Sequence, residues 1–137
     1  VDDKYVNPVI EGLAKFDEVI EMMKKQLSEM KILLLLNNAT PFQQAMYLLI
    51  LAWLHLWSLT ITTPKAKALL GDAKGADRAK ILAENPEASY YSGRVLSSQF
   101  YIGAEFPKFF GRIAAIVNNE GAALKVEADN FTGALKE

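Results

Sequence analysis

The chain has 137 residues, of which 51% are hydrophobic and 23% charged, which suits one domain with a core of its own. Its 15 basic and 16 acidic side chains give a net charge of -1, leaving no basic excess for a phosphate backbone or an anionic membrane surface. No cysteine is present, so disulfides, thiolate catalysis and thiolate metal sites are excluded, and the composition fits a cytoplasmic protein.

The chain opens Val1-Asp2-Asp3-Lys4, with neither an initiator methionine nor a signal segment. It is expected to be a fragment of a longer protein, with residues 1–137 forming one helical-bundle domain. Asn7 followed by Pro8 reads as a helix cap and first turn. Val9, Leu13, Phe16, Ile20, Met23, Leu27, Met30 and Leu34 then recur at alternating steps of four and three, predicting one long helix with a heptad seam. Glu18, Glu21 and Lys25 fall on its wet side, with Glu21 and Lys25 spaced as an ion pair.

Asn37-Asn38-Ala39 predicts a turn, and Thr40-Pro41 a second helix start. Residues 45–57 are apolar nearly all round. That run is shorter than the roughly 20 residues of a membrane span and contains His55, so part of its surface is expected to meet another domain or subunit. Pro64 predicts a kink or break near Thr62 and Thr63. Residues 71–86 read as a polar connection with a short helix over 76–83.

A third long helix is predicted over 87–117, kinked at Pro107. Tyr91, Val95, Ile102, Phe106, Phe109, Ile113 and Ile116 form its apolar face, and Gly93, Ser97, Gly103 and Gly111 are expected to admit close helix contact. Asn118-Asn119-Glu120-Gly121 ends it. Leu124, Val126, Phe131 and Leu135 are expected to dock a short last helix. The predicted fold is all-α: an antiparallel helical bundle of three long helices plus a short C-terminal helix, kinked at Pro64 and Pro107.

Sites of chemistry are scarce. His55 is the sole histidine and reads as a core or interface residue, distant from Ser58, Ser97 and Ser98, any of which would need it as a base. Gly71 and Gly75 lack the Lys-Ser/Thr sequel of a phosphate loop. No metal-ligand spacing occurs. Tyr90, Tyr91, Phe100, Tyr101, Phe106, Phe109 and Phe110 read as core rather than a ligand cage. Arg94 and Arg112 are candidates for an anionic group or a partner domain.

The run Tyr90-Tyr91-Ser92-Gly93-Arg94-Val95-Leu96-Ser97-Ser98-Gln99-Phe100-Tyr101, followed by Glu105-Phe106-Pro107, resembles the C-terminal extension of bacterial acyl-CoA dehydrogenases of the methylmercaptopropionyl-CoA dehydrogenase-like type. Leu51-Ala52-Trp53-Leu54 is similar to the Trp-containing apolar run that precedes it there. The resemblance covers residues 40–121, departing in Arg94, where lysine is usual, and in Pro64. It implies a parent enzyme that oxidises acyl-CoA to enoyl-CoA with FAD and a glutamate base, all held upstream. No catalytic, cofactor-binding or metal-binding residue is therefore assigned to this chain. Its implied role is assembly or shaping of the substrate entrance, against upstream dehydrogenase domains or a neighbouring subunit of a homo-oligomer. Two other readings remain: a homodimerisation module paired through Ile20 and Leu27, and a carrier with an aromatic-lined cavity.

Overall fold

Helix formation starts almost with the chain. Asp2, in extended conformation, accepts the Lys4 amide on its side chain at 2.9 Å and caps α1 (Asp3–Ser28). The start thus lies ahead of Asn7, and Pro8 sits within the helix, where it forfeits one bond to the exposed Lys4 carbonyl. These elements come from a computed structural model that describes residues 1–132.

The continuous seam expected through Leu34 is interrupted. Met30 takes a left-handed conformation (φ 57), and the Lys31 amide closes back onto the Gln26 carbonyl at 2.9 Å. That wrapped end stops α1, and residues 32–37 form a separate short helix, α2 (Ile32–Asn37). On the surface of α1, Glu21 pairs with Lys24 rather than with Lys25, and Glu18 pairs with Lys15.

Helix α3 (Ala39–Leu70) spans 32 residues and passes through Pro64 without the expected break. Proline withholds an amide from the carbonyl of Thr60, an exposed residue where water can take the bond. A polar connection follows, with the expected short helix as α4 (Gly75–Glu84). Asn85 then accepts the amides of Glu87 and Ala88 at 3.0 and 3.1 Å and caps α5 (Pro86–Phe100).

The third long helix is two helices. After α5, residues Tyr101–Glu105 widen into a π-turn, with the Phe106 amide bonding the Tyr101 carbonyl at 2.8 Å. Pro107 has no amide to continue the ladder, so the chain turns and restarts as α6 (Lys108–Asn118). Asn119, left-handed at φ 52, ends it. Past it come a 3-10 turn (Ala122–Lys125) and the short α7 (Asp129–Thr132). Leu124, Val126 and Phe131 do not dock: they are 41%, 49% and 76% exposed. Leu135 lies outside the described residues.

The contacts fix an antiparallel arrangement. Along α1, Gly12 lies beside Leu49 and Phe106, Phe16 beside Phe42 and Phe109, and Gln26 beside Asn119. Advancing along α1 therefore means retreating along α3 and advancing along α6. Between α3 and α5, the pairs Leu48–Tyr101, His55–Ser98 and Lys65–Tyr91 run in opposite directions. Val9, Val19, Ala45, Leu49, Phe106, Phe109 and Ile116 are buried where the three strands of helix meet.

The buried stripe of α1 is Val9, Gly12, Val19 and Gln26, rotated from the heptad seam, so Leu13, Leu27 and Met30 are exposed. Gly12 explains the rotation. A Cβ there would stand 2.7 Å from Phe106 Cζ and 3.3 Å from Leu49 Cδ1. Close approach belongs to this glycine. Gly93, Gly103 and Gly111 have nothing within 4 Å, contrary to the packing role expected of them, and Ser97 is exposed.

Candidate docking surface on the central helix

From Ile32 to Pro64 the sequence contains no Asp, Glu, Lys or Arg. A helix made from such a segment has no charge to distinguish its faces. The fold selects one by packing: Ala45, Leu48, Leu49, Ala52 and Leu59 are buried against α1, α5 and α6. The residues out of phase with them face water.

Tyr47 (50%), Ile50 (46%), Trp53 (55%), Trp57 (57%) and Ile61 (45%) are the most exposed of these, with Met46, Leu51 and Leu54 at their flanks. Met46, Ile50, Trp53 and Trp57 succeed one another at steps of four, three and four, which stacks them along one line of the helix. The stripe from Met46 to Ile61 is about 22 Å long at 1.5 Å per residue. Trp53 and Trp57 stack at 6.3 Å with their planes 18° apart. With Leu56 and Thr60 they frame a shallow groove of about 480 Å³. Aromatic residues of this size, clustered and exposed, are the usual anchors of protein interfaces.

The same helix is long and apolar enough to cross a membrane, with a mean hydropathy of 1.6 over its most apolar 18 residues. The length objection raised by residues 45–57 alone therefore falls. The bundle supplies a different objection. One third of that window is buried inside the fold. The helices around it carry Lys15, Glu18, Glu21, Arg94 and Arg112 on their outer faces, which a bilayer core would have to accommodate.

At the edge of the stripe sits His55. Its ring stacks on Tyr101 at 4.5 Å, and Nδ1 lies 3.1 Å from Ser98 Oγ. Burial pushes the imidazole pKa below its usual value, and the charge of Arg94 acts in the same direction. Tyr101 donates its hydroxyl to the Leu48 carbonyl at 3.4 Å, and burial raises its pKa first, with Tyr47 and Glu105 adding to the rise. Sequence distance concealed the His55–Ser98 pair, which only antiparallel packing of α3 on α5 creates. The pair has the elements of a base and a nucleophile, yet Ser98 has no exposed surface, so no substrate carbonyl reaches its oxygen.

The other residues singled out by the sequence disperse. Arg94 lies over the cleft beside Leu51, Leu54 and His55 and reaches Ser58 Oγ at 3.5 Å, while Arg112 is exposed. Of the aromatic set, Phe106 and Phe109 are core, Tyr91, Tyr101 and Phe110 are half-buried, and Tyr90 and Phe100 are exposed. No aromatic-lined ligand cage forms from them. No cluster of three or more potential metal ligands occurs among the described residues.

The most prominent exposed surface of this helical bundle is thus an apolar stripe anchored by two tryptophans. The chain matches the family model described as acetyl-CoA dehydrogenase C-terminal like over residues 3–127, and it belongs to that family. No curated protein and no solved structure matches it.

Proposed function

We propose that this domain is an assembly element of an FAD-dependent acyl-CoA dehydrogenase, docking on the catalytic domains or on a neighbouring subunit through the outer stripe of α3. The observation that carries the reading is the face without charged residues bearing Trp53 and Trp57, more than half exposed, in a domain of the acetyl-CoA dehydrogenase C-terminal-like family. Flavin, the glutamate base and the acyl-CoA pocket would reside in the partner. This chain contributes apolar area and position, helping to hold subunits together or to wall the substrate entrance, in a cytoplasmic homo-oligomer.

The test is a Trp53→Gln/Trp57→Gln double variant of the dehydrogenase carrying this domain, examined by light scattering after size-exclusion chromatography. Dissociation into smaller species, with helical content retained, is the expected result. An unchanged assembly mass and unchanged turnover sink the docking role. A second reading is self-pairing through α1, favoured by the groove of about 310 Å³ that Ile20 and Leu27 form with Met23, Leu35 and Phe42. There Leu27→Lys, and not the tryptophan variant, breaks the assembly.

A further inference from the structure

Toward its C-terminal end α3 packs on α5, α4 packs on α5 in turn, and another groove opens among residues of the three helices. It holds about 350 Å³, at the small end of the roughly 300–1,000 Å³ common among ligand pockets. Its walls are chemically divided. Ala66, Leu70, Val95 and Leu96 are apolar, whereas Lys67, Arg78, Thr63 and Ser92 bring hydrogen-bond donors. No Asp or Glu lines it.

Arg78 is the centre of the polar side. Its guanidinium donates to Ser92 Oγ at 2.8 Å, and Ser92 is buried to within 6% of full exclusion. Among the described residues Arg78 has no carboxylate partner. A guanidinium offers five N–H donors, and this bond uses one. Ser92 accepts from Arg78, leaving its own hydroxyl proton to donate. Lys67 stands on the rim as a second cation. A half-buried arginine, held in place by a buried serine beside an apolar wall and with no carboxylate partner among the described residues, has the donor set that recognises a planar anion.

We propose that this groove binds a small amphipathic monocarboxylate, with the carboxylate on Arg78, Ser92 and Lys67 and the hydrocarbon end on Leu70, Val95 and Leu96. The apolar walls select against inorganic phosphate and sulfate, which have no surface to place there. The site lies at the far end of α3 from Met46 and on its packed side, and the proposal does not depend on the docking reading.

The probe is sodium hexanoate, titrated into this chain while backbone amide shifts are followed by NMR. Saturable shifts at Ser92 and Leu96 are expected, with hexan-1-ol and inorganic phosphate each binding far more weakly. Arg78→Gln is expected to weaken hexanoate about tenfold, the scale of one lost charge-assisted hydrogen bond. If Arg78→Gln fails to fold, Lys67→Gln at an exposed position carries the test and weakens binding in the same direction. Absence of saturable shifts at millimolar hexanoate overturns the site. Equal binding of phosphate or hexan-1-ol overturns the ligand class, and full binding by a folded Arg78→Gln or Lys67→Gln variant overturns the assignment of the donors.

Discussion

Two glycine-to-alanine substitutions, at Gly12 and Gly93, should have opposite signs. Each lies inside a long helix, and each gains up to about 1 kcal/mol of helix propensity on becoming alanine. At Gly93 nothing lies within 4 Å of the new methyl, so the whole gain is realised. At Gly12 the methyl stands 2.7 Å from Phe106 Cζ, a ring with no exposed surface, and 3.3 Å from Leu49 Cδ1, 5% exposed. Neither neighbour is a free end that swings aside. Forcing a methyl into a packed core costs about 1–3 kcal/mol, which exceeds the propensity gain. Gly12→Ala is therefore destabilising by roughly 1 kcal/mol and Gly93→Ala stabilising by about the same, a separation near 2 kcal/mol. Urea denaturation followed by circular dichroism measures both, with the slope of the transition checked for constancy. Equal stabilisation by the two substitutions would refute the claim that α1 meets Phe106 through a glycine.

Other residues give sharp expectations. Asn119→Ala removes the acceptor of Gln26 and Asn38, bonded at 3.2 and 2.9 Å, and puts alanine at φ 52. It should cost about 2–4 kcal/mol in urea denaturation, while Asn119→Gly, free of the backbone penalty, costs less. For His55, the folded pKa lies below the unfolded value of 6.5, so the unfolded chain binds the extra proton. Stability contributed by neutral His55 is complete above about pH 6.5 and declines as pH falls toward the folded pKa. Thermal melts across that window should show a slope that His55→Gln reduces, and an unchanged slope would contradict the burial of the imidazole.

The sequence was most legible where one residue fixed one local event. The apolar face of Ile102, Phe106, Phe109, Ile113 and Ile116, the short helix over 76–83 and the stop at Asn118–Gly121 all appear as read. Three features escaped it, the last two because they depend on contacts between distant segments. Met30 gave no sign of a left-handed turn, because its side chain is an ordinary helix former. The rotation of α1 follows from Phe106, which is 94 residues from Gly12 and carries no local trace. The His55–Ser98 pair arises only when α3 and α5 lie antiparallel. For the docking surface, the all-round apolar character of residues 45–57 foretold an exposed face but not which one; the core packing of Ala45, Leu49 and Ala52 chose it.

The chain holds two tryptophans, Trp53 and Trp57, and both stand on the proposed docking stripe. Labelling this chain alone with 5-fluorotryptophan makes fluorine NMR a direct report of that face. Addition of the unlabelled dehydrogenase catalytic domains should move both resonances from solvent-exposed to buried environments, saturably and at a constant concentration of this chain. Resonances that stay solvent-exposed, or that shift only with the concentration of the labelled chain itself, would contradict docking on the dehydrogenase.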